Sequence, residues 1–319
     1  MVRMDGQFKI GISSCLLGNE VRWNGGHKRD KYLTNILGQF VDYVPVCPEV
    51  EAGFGTPRET FRLVGDPEQP RLITFKSKVD HTDRMLAWAK KRLKDLENED
   101  LCGFIFKSDS PSSGMIRVKV YNEKGMPHKV GVGIFARAFM AHFPLIPVED
   151  DGRLNDPVIR ENFILQIFTM KRWRDNLARR RSMRSLVDFH TRNKLLILSH
   201  SQKHYRSMGK LVAEGKKMPL KELYDQYQLL LMEALKLKST IRKNGNVLQQ
   251  LMGYFKKQLT PDEKQELLEI FEQYRNQLVP LIVPITLINH FVRKYDQPYL
   301  KQQTYLNPHP LELKLRTHV

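Results

Sequence analysis

Three short apolar runs in the first half of the chain each end at a polar loop, and this pattern restricts the fold more than any other feature. Phe8-Lys9-Ile10-Gly11-Ile12 leads into Ser13-Ser14-Cys15-Leu16-Leu17-Gly18, then into Arg22-Trp23-Asn24-Gly25-Gly26-His27-Lys28. Val41 to Val46 leads into Cys47-Pro48-Glu49-Val50-Glu51-Ala52-Gly53, and Cys102 to Phe106 leads into the loop Lys107 to Gly114. Helical segments fall between them: a short one from Asp30 to Leu37, and an amphipathic one over 80–97 with Met85, Trp88, Ala89, Leu93 and Leu96 on one side. A hairpin is expected at 62–74 around Gly65-Asp66-Pro67, a strand from Met115 to Tyr121, a turn at Glu123-Lys124-Gly125, a helix from Gly131 to His142 and a last short strand at 143–149. Strands alternating with helices predict a compact α/β domain with a mostly parallel sheet. Such sheets set their ligand sites at the carboxyl ends of the strands. Cys15, Cys47 and the Lys107–Gly114 loop are therefore expected at one sheet edge. Cys102 opens its strand and is expected at the other, as buried filler.

Beyond about residue 155 only helical period remains. The chain divides into a first domain over 1–155 and an all-α domain over 156–319, starting near Asp156-Pro157, where proline suits a first helical turn. Helices are expected at 157–175, 183–199, 201–214, 220–237, 246–257, 263–278 and 281–294, with Thr260-Pro261-Asp262-Glu263 as a helix cap. The tail through Pro308-His309-Pro310 reads as irregular.

Charge separates the halves. The whole chain carries +17, of which residues 1–155 supply +3 and residues 156–319 supply +14. Lys171, Arg172, Arg174, Arg179, Arg180, Arg181 and Arg184 stand within fourteen residues. A cluster of that kind fits the phosphates of a nucleic acid. Trp173 and Trp23 are candidates to stack on a splayed base, with core packing as the other use of each. His200 and His204, at helical spacing, lack acidic partners in register and read as helix histidines rather than metal ligands.

Three cysteines do not make a disulfide framework and fit a reducing, cytoplasmic setting. The N-terminus reads as a strand, not a signal peptide. No membrane span is expected, since no apolar run reaches about 18 residues. The most apolar stretch, Leu278 to Ile288, is interrupted by Pro280 and Pro284.

Thiols gathered in a glycine-lined polar pocket bind soft metals, zinc or an iron–sulfur cluster. Nearby Lys28, Arg58 and Lys107 are expected to favour the thiolates by their charge. The residues also carry a resemblance. Residues 8–148 resemble the domain of bacterial thiouracil desulfidases, through the stretch 13–18, Arg22 with Gly25-Gly26-His27-Lys28, Cys47-Pro48-Glu49-Val50 with Gly53 and Pro57-Arg58, and Lys107 with Ser110-Pro111-Ser112. Residues 180–313 resemble the helical domain often fused behind it, through Phe189-His190, Lys194-Leu195-Leu196, the Pro280–His290 stretch and Tyr305-Leu306-Asn307-Pro308-His309-Pro310. The arrangement is similar to desulfidases that act on 4-thiouridine in transfer RNA.

That resemblance implies hydrolytic sulfur removal at a [4Fe-4S] cluster held by three cysteines, with Cys15 and Cys47 as two of the ligands. Glu49, two residues past a ligand position, is the candidate base or proton shuttle, with a salt bridge to Arg58 or Lys28 as its other use; Ser110 is the candidate to orient water or substrate, with capping of its own loop as the other use; and Lys107 is the candidate to steer the nucleotide or hold Glu49. The third ligand position is Ser113, and a serine oxygen is a poor ligand for soft iron. Three functions stay open: a desulfidase of transfer RNA, an RNA-binding protein with a degenerate catalytic domain, and a desulfidase of free thiouracil.

Overall fold

The computed structural model describes residues 7–179 and 181–318. The chain forms two compact units, Met1–Ile159 and Arg160–Val319. The first unit runs β1 (Phe8–Ser13), α1 (Lys31–Asn35), β2 (Val41–Val46), α2 (Pro48–Glu51), β3 (Phe61–Val64), β4 (Arg71–Thr74), α3 (Thr82–Glu97), β5 (Phe104–Phe106), β6 (Val118–Tyr121), β7 (Pro127–Gly131), α4 (Ile134–His142) and β8 (Val148–Asp150).

A four-stranded sheet has the order β2-β1-β5-β8, and each neighbouring pair is parallel. Ile10, Ile12, Phe104, Ile105 and Phe106 are all buried, the near-continuous burial of strands in a parallel sheet. One core forms where Phe135 and Phe139 of α4 and Leu93 and Leu96 of α3 meet Phe104 and Phe106. Cys102 lies at the amino-terminal edge, with its N–H donating to Lys9 O at 2.9 Å.

A second sheet, β4-β3-β6-β7, was not expected. Its β3–β4 hairpin matches the turn at Gly65, but β7 adds a fourth strand to β6. Four of the five β7 residues are exposed, so no alternation of apolar residues marks the strand and only backbone pairing defines it. The following helix accordingly begins at Ile134 and not at Gly131. Met85 of α3 packs on this second sheet and Trp88 touches both cores.

The remainder is helical: α5 (Pro157–Ala178), α6 (Met183–His200), α7 (Gln202–Glu214), α8 (Leu220–Lys236), α9 (Ile241–Gly253), α10 (Pro261–Arg275), α11 (Ile282–Lys294) and α12 (Pro298–Lys301). The apolar stripes close its core: Phe163, Ile164, Ile167 and Phe168 of α5 and Leu186, Leu195 and Leu196 of α6 are at most 2% exposed. Thr260 and Glu263 form the expected capping box. A cap of this kind is worth about 1 kcal/mol. Another cap was missed: Thr240 accepts from Lys243 N at 3.3 Å, which starts α9 earlier than the apolar pattern indicates.

Candidate active site

Parallel strands end on the same side, so the loops after β1, β2, β5 and β8 share one edge. Cys15 stands in the turn after β1. The polar loop folds back on that turn, with Lys28 N–H donating to Cys15 O at 2.9 Å and Asp30 N–H to Leu16 O at 2.9 Å. Gly18 closes the turn at φ +101°, a left-handed conformation that favours glycine. Cys47 precedes α2, and its N–H donates to Glu51 Oε1 at 2.8 Å.

The β5 loop is locked by α4. Ile134 N–H donates to Pro111 O at 3.2 Å and Phe135 N–H to Ser112 O at 2.9 Å. This approach requires glycine at 133, where a Cβ would lie 2.6 Å from the Ser112 carbonyl. Ser110 caps its own loop, its Oγ accepting from Ser113 N at 3.1 Å.

Glu49 is held from two sides. Arg58 Nε donates to Oε2 at 3.0 Å and Nη2 contacts the same oxygen, while Ser112 Oγ donates to Oε1 at 2.8 Å. Ser110 Oγ stands 3.0 Å from Ser112 Oγ, so Ser110 reaches Glu49 only through Ser112. Arg58 Nη2 also donates to Val21 O at 3.0 Å, and Arg58 N–H to Trp23 O at 2.8 Å. Loops after β1, β2 and β5 therefore meet at this one carboxylate.

Lys107 does not hold Glu49. Its Nζ pairs with both carboxylate oxygens of Asp151 at 2.8 and 3.1 Å and donates to Ser108 Oγ at 2.8 Å. Its N–H donates to Ser13 Oγ at 2.9 Å. Asp151 also accepts from Ser108 N at 2.7 Å. Asp151 follows β8 and was missed in the sequence. The sign that points to it is topological: every strand of the parallel sheet sends its next residue to this edge.

Cys15 and Cys47 feel one another electrostatically. Burial pushes the Cys15 thiol up to about 11, the neighbouring Cys47 and Asp151 add to the rise, and Lys107 and Arg22 oppose it. Cys47 is raised as well, first by burial, with Glu49 adding and Arg58 opposing. Lys107 and Arg58 thus favour the thiolates by their charge as expected, but desolvation outweighs them and both thiols end up raised.

Comparisons with known proteins give matches for both halves of the chain. The model of the family described as 2-thiouracil desulfurase matches residues 10–151, most of β1 and the other three strands of the parallel sheet included. A second model, described as a protein of unknown function (DUF1722), matches residues 194–310. The uncharacterized protein YbbK of Bacillus subtilis (strain 168) is 33% identical over 110 residues, 33% of this chain and 72% of YbbK. The chain belongs to the 2-thiouracil desulfurase family. A different relative, the uncharacterized protein YbgA of Escherichia coli (strain K12), is 33% identical over 133 residues, 41% of this chain and 79% of YbgA. A solved structure titled [4Fe-4S]-dependent thiouracil desulfidase TudS is 28% identical, covering 47% of this chain and 95% of that one at a TM-score of 0.39. In this desulfurase-family domain Cys15, Cys47 and Glu49 are the chemically distinctive groups of the edge.

The donor set does not complete a three-thiolate cluster site. Cys15 and Cys47 are soft donors, whereas Ser113, 3% exposed in the locked loop, brings a hard hydroxyl. Among the described residues no group of three His, Cys, Asp or Glu side chains is gathered to hold a metal ion. Cys102 cannot substitute, because it sits at the opposite edge of the sheet.

The basic cluster of the helical unit divides. Arg172 turns inward, donating from Nη1 to Pro308 O at 2.7 Å and from Nη2 to Thr169 Oγ1 at 2.7 Å, so it braces the C-terminal tail and does not face a ligand. Lys171 pairs with Asp175 at 2.5 Å. Arg174 is half-buried, while Arg179, Arg181 and Arg184 are exposed, and Arg180 lies outside the described residues. Trp173 is no stacking residue. It is fully buried, parallel to Tyr227 at 5.2 Å and edge-on to Phe189. Trp23 remains 46% exposed, beside Arg58. No helix of the described residues is long and apolar enough to cross a membrane.

Proposed function

We propose that the chain removes sulfur from a thiolated pyrimidine by hydrolysis, and that its substrate is 4-thiouridine within transfer RNA. The observation that carries this reading is the convergence of Cys15, Cys47, Glu49 and the Ser110–Ser113 loop on one sheet edge. In the reaction, water adds its oxygen to the ring carbon that bears sulfur. The C–S bond breaks, sulfur leaves as hydrosulfide, and an oxo base remains. Glu49 takes one proton of the attacking water and returns it to the departing sulfur, and the proton left on the new hydroxyl passes to solvent as the oxo base forms. Arg58 and Ser112 fix the direction of its two oxygens. Lys107, clamped by Asp151, keeps a positive charge near Cys15. Exposed Arg179, Arg181 and Arg184 of the helical unit supply phosphate contacts.

The resemblance implies a [4Fe-4S] cluster held by three thiolates, and this edge offers two of them, Cys15 and Cys47. Ser113 therefore favours a second reading, an RNA-binding protein whose desulfurase domain no longer turns over. One experiment separates the two. The chain and its Ser113→Cys variant are reconstituted anaerobically with iron and sulfide, then assayed for sulfide release from thiolated transfer RNA and from free thiouracil. Release from the RNA by both proteins supports the desulfidase reading and its substrate, whereas release by Ser113→Cys alone supports the second reading for the chain as it stands. The second case assigns position 113 to the cluster. No release by either protein overturns the enzymatic reading. Release only from free thiouracil overturns the transfer-RNA substrate.

A further inference from the structure

Recognition of a splayed RNA base needs a flat ring at the surface, held still, with positive charge beside it. The helical unit spends its tryptophan on the core, yet it leaves one such ring open. Tyr254 ends α9 and is 41% exposed. Its ring stacks on Tyr299 of α12, with centroids 5.0 Å apart and planes inclined by 20°. Lys194 of α6 sets its Nζ 5.1 Å from the centroid of Tyr299, and its charge also reaches Tyr254. Tyr205 of α7 is within electrostatic reach of both rings. Four separate elements thus supply three tyrosines and a lysine to one place.

The platform is anchored. Tyr254 N–H donates to Leu251 O at 3.2 Å, and Gln297 Nε2 donates to Tyr254 O at 3.5 Å. Its setting is rich in cations. Lys256 and Lys257 follow it in the chain and are exposed, as are Lys203 and Arg206 flanking Tyr205. Two carboxylates nearby in sequence are already engaged: Asp296 by Lys301, and Glu263 by Lys294 at 2.5 Å. A stacked pair of rings with a lysine over one of them, in a segment rich in lysines, matches a nucleotide better than a protein side chain.

We propose that Tyr254, backed by Tyr299 and Lys194, is the platform on which the helical unit stacks an unpaired base of RNA. The inference rests on the RNA reading above and specifies the surface that serves it. The test measures binding of the full chain, its Tyr254→Ala and Tyr254→Phe variants, and Lys194→Gln. The probes are unmodified transfer RNA, a single-stranded oligouridine and a blunt RNA duplex. Tyr254→Ala is expected to bind transfer RNA and oligouridine about 10-fold more weakly, the loss of one stacked base. It should bind the duplex like the parent and keep the parent's dependence on salt. Tyr254→Phe, which keeps the ring, should bind like the parent. Lys194→Gln should lower the salt slope. Tyr254→Leu replaces the alanine variant if that protein does not fold. Parent-like binding of the single strand by Tyr254→Ala or Tyr254→Leu overturns the platform and leaves RNA binding intact. Equal losses on single strand and duplex also overturn it. Absence of RNA binding by the parent overturns the reading beneath it.

Discussion

Both units bury polar and titratable groups, but they place them differently. In the first unit these groups gather where four parallel strands end. Glu49 is held by Arg58, itself tied to the loop after β1, and by Ser112 of the loop after β5, and Lys107 is held by Asp151 after β8. In the helical unit they are dispersed, and several are held neutral or tied to a carbonyl. Burial holds His190 and His200 down to about 4 and His309 down to about 3. Arg172 is spent on the Pro308 carbonyl. Burial alone therefore does not mark chemistry in this protein. What sets the sheet edge apart is that segments following three different strands meet around one carboxylate, Glu49.

The sharpest way to break that contrast is to remove the central carboxylate. In the Ser113→Cys background, Glu49→Gln keeps the hydrogen bond from Ser112 but loses the group that takes a proton. Sulfide release should fall at least about 100-fold, the usual weight of a general base, with iron content unchanged. Release near the parent rate would remove Glu49 from the chemistry and leave it as a brace for Arg58.

The second contrast concerns acid. His200 is 1% exposed, with its Nδ1 2.6 Å from Leu237 O. Burial lowers it first, and the charges of Lys243 and Arg316 oppose protonation further. Folded, it stays neutral down to about pH 4, whereas in the unfolded chain it takes a proton near its ordinary 6.5. The unfolded state then binds more protons between those values, so stability falls as pH falls from about 6.5 to about 4 and levels off below. The loss from this one residue is about 3 kcal/mol. Acid titration of the helical circular-dichroism signal in the presence of urea should show that limb, and His200→Gln should make it shallower by its own share, with the shares of His190 and His309 remaining. A limb equally steep in the variant would assign the acid sensitivity elsewhere.

The same contrast explains what the sequence reveals. The edge is legible because alternating strands and helices imply parallel strands, and parallel strands bring Cys15, Cys47 and the Lys107 loop together whatever the details. The partners are not legible, because they are chosen by folding over distance. Asp151 lies 44 residues from Lys107, and Arg172 is 136 residues from Pro308. Nothing local to Lys107 prefers Asp151 over Glu49, and nothing in a run of arginines tells which one faces inward. The strand β7 escapes for a third reason: an exposed edge strand carries no burial pattern to read.

The smallest effect comes from comparing two cysteines of one sheet. Cys15 follows β1 at the edge where the loops meet, and Cys102 precedes β5 at the other, 1% exposed with its Sγ 3.9 Å from Asp100 O. If position along the strand decides what a thiol does, Cys102→Ala should cost about 1 kcal/mol of stability and nothing in function. In a unit of this size that is a fall of about 2–4 °C in Tm. Iron uptake and sulfide release of the Ser113→Cys background should not change, whereas Cys15→Ala should lose both without a comparable fall in Tm. Loss of iron by Cys102→Ala would mean that the two edges are not chemically separate. The disparity between them would then rest on packing alone, and Cys102 would have to be counted with Cys15 and Cys47.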